Sequence, residues 1–139
     1  MSKTFLDTNI LVHSLNLQDS SKSSISRSII RNLGVRNEAV ISTQVLQEFY
    51  VVATKKLSVK PMHAKSIVCA FENLEIVQID FGLIKEAIDI SMQYQISFWD
   101  SLIVAAAERS NSVVLFSEDL QHNQIIRSVR IVNPFIPEE

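Results

Sequence analysis

Short apolar runs separated by longer stretches of helical periodicity constrain this chain more than any other feature. Residues 3–6, 39–41, 76–79, 113–116 and 129–132 are too short for helices and too apolar for exposed loops, so they are predicted to be buried strands. Between them lie segments with apolar residues three and four apart. Ile25, Ile29, Ile30 and Leu33 mark a helix over 21–33, with Gly34 as its expected stop. Val45, Leu46, Phe49, Val52 and Ala53 mark a second, capped by Ser42 or Thr43. Pro61 suits the start of a helix that extends over 63–74, residues 81–94 repeat the pattern, and Trp99, Leu102, Ile103, Ala106 and Ala107 carry it from Ser97 or Phe98 onward. Strands alternating with helices predict an α/β domain: a mostly parallel sheet of about five short strands, covered by helices on both faces.

The 139 residues fit one domain, 1–139, and an apolar fraction of 47% is enough to fill its core. No apolar run reaches the roughly 18 residues of a membrane helix, and no secretory leader is evident, so a soluble, cytoplasmic protein is expected. The single cysteine, Cys69, lies among Val68, Ala70 and Phe71 and is expected to be a small buried hydrophobe. A net charge of −2 argues against non-specific coating of nucleic acid, which needs a surplus of Lys and Arg. A nucleic-acid partner would have to be gripped locally, by Arg27, Arg31 and Arg36 or by Lys55, Lys56 and Lys60.

Sites in parallel sheets form at the carboxyl ends of the strands. Four acids map to that edge. Asp7 follows the first strand, Asp119 follows the 113–116 strand within three residues, and Asp100 sits in the first turn of its helix. Glu48 lies deeper in its helix, but helical side chains lean back toward the N-terminus. Asp100 also shares the phase of Ile103, Val104 and Ala107. A carboxylate facing inward is unfavourable unless paired or holding a cation. Singly, each acid has a structural explanation as a cap, turn former or dipole partner. Together they would repel one another unless divalent cations held them. Oxygen-only ligands suit Mg2+ or Mn2+, and the cysteine and scattered histidines give no zinc spacing. The chemistry implied is phosphodiester hydrolysis by cation-activated water.

The motifs resemble those of the PIN-domain nucleases across essentially the whole chain. FLDTNILV (5–12) is similar to the family's strand followed by acid, hydroxyl residue and asparagine, and STQVLQEFY (42–50) to its second acidic motif. FWDSLIVAAAERS (98–110) and LFSEDLQHNQ (115–124) are similar to the third and fourth. The resemblance implies a PIN-like three-layer fold. Asp7, Glu48, Asp100 and Asp119 would be metal-binding and catalytic, with Thr8, Asn9 and Ser117 in support. Glu118 is a rival to Asp119, though more naturally a solvent-facing loop acid, and His122 is a candidate RNA contact. Asn123 stands where many relatives have glycine, and asparagine tolerates a left-handed backbone there. Trp99 and Phe98 could stack on a base, but core packing is the better expectation.

Implied by the same resemblance are an RNA substrate and, from the size, the toxin of a type II pair like VapBC, with a homodimer and a small VapB-type antitoxin. Alternatives are a solitary RNA-processing nuclease, or a non-catalytic RNA-binding or scaffold module on the same fold. A metal-dependent phosphatase ranks lower, because its usual second acid, two residues after the first, would be Asn9.

Overall fold

A computed structural model describes residues 2–137. Six strands form one sheet: β1 (Lys3–Leu6), β2 (Ala39–Ser42), β3 (Glu75–Val77), β4 (Ser112–Phe116), β5 (Ile125–Ile126) and β6 (Val129–Val132). Their order is β3-β2-β1-β4-β6-β5, and every pairing is parallel except that of β5 with β6. Helices α1 (Thr8–His13), α2 (Ser20–Val35), α3 (Thr43–Lys55), α4 (Pro61–Ala70), α5 (Phe81–Tyr94) and α6 (Phe98–Arg109) flank the sheet. The α/β, mostly parallel architecture is thus the expected one, with six strands rather than about five.

The extra strand has only two residues, and its hairpin lacks the glycine that would advertise it. Arg127 turns that hairpin at φ 54, in the left-handed region. Its N–H donates to the Tyr94 hydroxyl (3.0 Å), and its guanidinium bonds Glu86 (2.7 Å) and Glu108 (3.2 Å). Those contacts offset the strain of a non-glycine residue in that conformation.

Burial explains the sheet's sequence pattern. Phe5, Leu6, Ile41, Leu115 and Ile131 are fully buried, as expected of strands covered on both faces. Residues 101–107 of α6 are buried without a break, because α6 lies against β2, β4 and β6 and is itself covered by α5. The run Ala105-Ala106-Ala107 keeps that helix thin enough for close approach on both sides.

Several local expectations change. The helix expected over 63–74 ends at Ala70 and gives way to a 3-10 turn (Phe71–Asn73), and the strand expected over 76–79 is Glu75–Val77. Gly34 does not stop α2, which continues to Val35; Asn37 takes the left-handed position instead (φ 56), with Asn37 N–H bonded to Gly34 O and Glu38 N–H to Leu33 O. Cys69 is exposed, since α4 turns Ala64, Ile67, Val68 and Phe71 toward the core and leaves residue 69 on its outer side. Trp99 is 63% exposed rather than packed, whereas its neighbour Phe98 does pack on the core. Asn123 adopts the left-handed conformation expected of it, at φ 68. Among the described residues, no helix is long and apolar enough to cross a membrane.

Candidate active site

The sheet order changes direction beside β1. The chain moves outward from β1 to β2 and β3, then returns to place β4 on the other side of β1. A crevice opens at the carboxyl ends of two strands so arranged. Asp7 follows β1 directly, and its N–H donates to Phe116 O at the end of β4 (3.0 Å). Ser117 and Asp119 follow β4. Ser42 ends β2 and caps α3 by accepting from the Val45 N–H (3.3 Å), so α3 starts at the same edge and carries Glu48 in its second turn. Ser97 caps α6 by accepting from the Asp100 N–H (3.0 Å).

Asp7 is the most enclosed of the four acids, at 4% exposure. Its Oδ1 accepts from the Thr8 N–H (2.7 Å) and its Oδ2 from the Ser117 hydroxyl (2.7 Å). Ser117 Oγ in turn accepts from the Asp119 N–H (3.1 Å), which ties the first acid to the loop carrying the fourth. The Thr8 hydroxyl donates to Glu48 Oε1 (2.7 Å), and Asn9 Nδ2 donates to Asp119 Oδ2 (3.1 Å). Consecutive residues after β1 therefore reach three of the acids.

Electrostatics show how closely the acids crowd. Burial, helped by the charges of Asp119 and Glu48, pushes the Asp7 carboxyl up to about 7 despite the bonds from Ser117 and Thr8. Asp100, half-buried, also lies above the usual carboxylate range, through burial first and then the same two charges, against the pull of Ser97. The acids are close enough to repel. Yet among the described residues no three Asp, Glu, His or Cys side chains converge on one point as a ready-made cation site.

Whether the residues suit a divalent cation is answered by the donors. Asn9 Oδ1 and Gln44 Oε1 are buried and have no partner among the described residues. They are neutral oxygens placed among carboxylates, and buried oxygens without partners call for an ion or water. Gln44 reaches Glu48 Oε2 (3.5 Å) and Trp99 O (3.2 Å) through Nε2. With no thiolate or imidazole in the set, the chemistry fits a hard cation.

Glu118 and His122 have other roles. Both Glu118 oxygens are engaged, by His13 and by Lys22 (2.8 Å). Burial alone would lift its carboxyl, but those two hydrogen bonds hold it below its ordinary range. It is neither a free ligand nor a solvent-facing loop acid: it fastens the 117–124 loop to α1 and α2. His122 Nδ1 accepts from the Asn133 N–H (3.0 Å) and lines a separate cavity of about 760 Å3, with Arg130 and Pro134, that contains no carboxylate. A second groove, of about 630 Å3, is bordered by Thr8, Asn9, His13, Glu48, Glu118 and Asp119, with Val12, Val51 and Leu57 as an apolar wall; Asp7 and Asp100 lie outside its lining.

Of the six basic residues singled out from the sequence, Lys56 alone lines that groove; Arg27 bonds Ser14 O (2.9 Å) and Arg36 pairs with Glu38 (3.8 Å). Sequence reasoning missed His13, Lys22 and Gln44. Only Gln44 left a signal, since it stands one helical turn before Glu48.

The family model of the PIN domain matches residues 4–127. The chain belongs to the PIN-domain family. Solved structures share its fold at low identity. A toxin–antitoxin complex from Klebsiella pneumoniae aligns with TM-score 0.71 at 19% identity over 95% of this chain and 98% of that one. DNA-bound VapBC from Salmonella typhimurium gives 0.68 at 21% over 94% and 97%. VapC20 of Mycobacterium tuberculosis, a toxin that cleaves the sarcin–ricin loop, gives 0.65 at 16% over 84% and 92%. No curated protein matches in sequence. The fold of this PIN domain is thus shared with toxin–antitoxin structures.

Ser117→Ala tests the wiring around Asp7. Losing this bond to a buried carboxyl is expected to destabilise the protein by about 1–3 kcal/mol and to raise the Asp7 carboxyl further, since Ser117 is the strongest influence holding it down. Thermal melts between pH 5 and 8 read both effects. A profile superimposable on that of the parent would remove Ser117 from the site.

Proposed function

We propose that this PIN domain is a divalent-cation-dependent endoribonuclease, the toxin of a type II toxin–antitoxin pair. One observation carries the reading: carboxylates from four separate chain segments gather near the β1/β4 crevice, where burial first, and the charges of Asp119 and Glu48 second, raise the Asp7 carboxyl to about 7. Asp7, Glu48, Asp100 and Asp119 would hold Mg2+ or Mn2+. When bound, the cation supplies Lewis acidity toward a phosphodiester and acidifies the water that hydrolyses it.

The chain's own residues prepare the site. Ser117 and the Thr8 N–H fix both oxygens of Asp7. The Thr8 hydroxyl holds Glu48, and the Asn9 amide holds Asp119. Lys56 places a positive charge on the rim of the same groove, where it offsets the repulsion between an acidic centre and a phosphate backbone. The fold shared with toxin–antitoxin structures supports an antitoxin partner. A homodimer is the expected assembly, with Phe81, Ile88 and Met92 available as an exposed apolar stripe on α5.

Purified protein should cleave RNA in Mg2+ or Mn2+, and EDTA or Asp100→Asn should abolish cleavage. Cleavage that persists under both treatments sinks the cation-dependent reading. Tight RNA binding without cleavage in any divalent metal would instead identify a binding module.

A further inference from the structure

Trp99 occupies the second position of α6, one residue before Asp100, and is 63% exposed. Its helical phase matches Leu102, Ile103 and Ala106, which are buried, so an inward position would be expected. Position along the helix decides otherwise. First-turn side chains lean back past the helix start. At the start of α6 lies the acid-bearing edge, since Asp100 feels the charges of Asp119 and Glu48. Trp99 therefore lies past the end of the core, in the same first turn of α6 that carries Asp100.

Two contacts hold it there. Phe98, packed on the core, meets the indole edge-on, with ring centroids 5.2 Å apart at 76°. Gln44 donates to the Trp99 carbonyl and to Glu48, so the backbone of the aromatic residue and one acid are fixed by the same amide. A large aromatic surface left in water is unfavourable for folding alone, which makes its retention at this edge informative.

We propose that Trp99 is a substrate-positioning residue: its indole face stacks on an unpaired nucleobase of the RNA strand, next to the phosphodiester presented to the acids. This rests on the nuclease reading and deepens it. Single-stranded RNA offers splayed bases with exposed π-faces, and stacking tolerates any base while a nearby acidic centre acts on the backbone. The stacked base gives the strand a fixed register against a groove whose charge would otherwise repel it.

Trp99 is the only tryptophan in the chain, so its fluorescence reports on this residue alone. The Asp7→Asn full-length protein is titrated in Mg2+ with a single-stranded oligoribonucleotide, and with the same strand carrying abasic residues. Saturable quenching by the base-bearing strand and little by the abasic one is expected. In the parent protein, Trp99→Ala should raise KM roughly 5- to 150-fold with kcat within about threefold, and Trp99→Phe should restore much of the loss.

Absence of quenching by an RNA that the parent cleaves overturns the proposal and leaves the nuclease reading intact, as does a Trp99→Ala effect confined to kcat. A blue shift that grows with protein concentration and is insensitive to RNA also overturns it, assigning Trp99 to contact with a second copy of the chain. Base-dependent quenching without cleavage by the parent protein would uphold stacking while the nuclease reading fails.

Discussion

In the absence of divalent cations at neutral pH, Asp7→Asn should melt at a higher temperature than the parent protein, although it should cleave RNA roughly 100-fold more slowly or worse in Mg2+. The reason lies in where the carboxyl keeps its proton. An unfolded chain releases it near 3.8; the folded chain, chiefly through burial and then through Asp119 and Glu48, releases it near 7. The contribution to stability is therefore complete below about pH 4 and is lost as pH rises through 7. A shift of that size corresponds to on the order of 4 kcal/mol.

Asparagine presents nearly the same shape without the charge and can still accept from the Thr8 N–H. The melting difference between variant and parent should vanish near pH 4 and be widest at pH 7 to 8. Added Mg2+ should raise the melting temperature of the parent and leave the variant nearly unchanged. Parallel melting curves across that pH range would show that Asp7 is not the strained carboxyl described above.

Phe49→Ala carries the second large expectation, a loss of about 3–5 kcal/mol in urea unfolding. Phe49 is fully buried on α3, next to Glu48, and meets Phe71 edge-on with centroids 5.3 Å apart. Its removal leaves a cavity beneath the helix that carries the second acid. Tyr50→Ala, one position along and exposed, should stay within about 0.5 kcal/mol. A small loss for Phe49→Ala would mean that α3 is not anchored through this ring, and that Glu48 is held by Thr8 and Gln44 alone.

Much of the fold was legible because its strands are nearly pure apolar runs and its long helices keep one inward stripe. Residues 81–94 and 129–132 match their predicted bounds in full. Legibility failed where tertiary position overrides local pattern. The phase of Trp99 says inward, but the core ends before it. Gly34 reads as a stop, but the next two residues continue the turn and Asn37 supplies the left-handed residue. The hairpin at Arg127 is held by ion pairs from α5 and α6 that no local signature encodes.

The acids themselves were readable because strand ends are readable. Their support was only partly so. Thr8, Asn9 and Ser117 adjoin acids in sequence, whereas the partnership of Glu118 with His13 and Lys22 joins residues about a hundred positions apart. Lys22 sits in a polar stretch of serines and looks like any solvated lysine until α2 is laid beside the loop that follows β4.

The bond from Ser117 to Asp7 spans 110 positions of the chain. Since β4 comes late in the domain and must find a place beside β1, the acidic cluster cannot assemble until most of the domain exists. A growing chain on the ribosome holds Asp7, Glu48 and Asp100 without the loop that joins them to Asp119. For an enzyme whose proposed substrate is RNA, and which is made amid RNA, topology itself then delays activity until this domain is nearly complete.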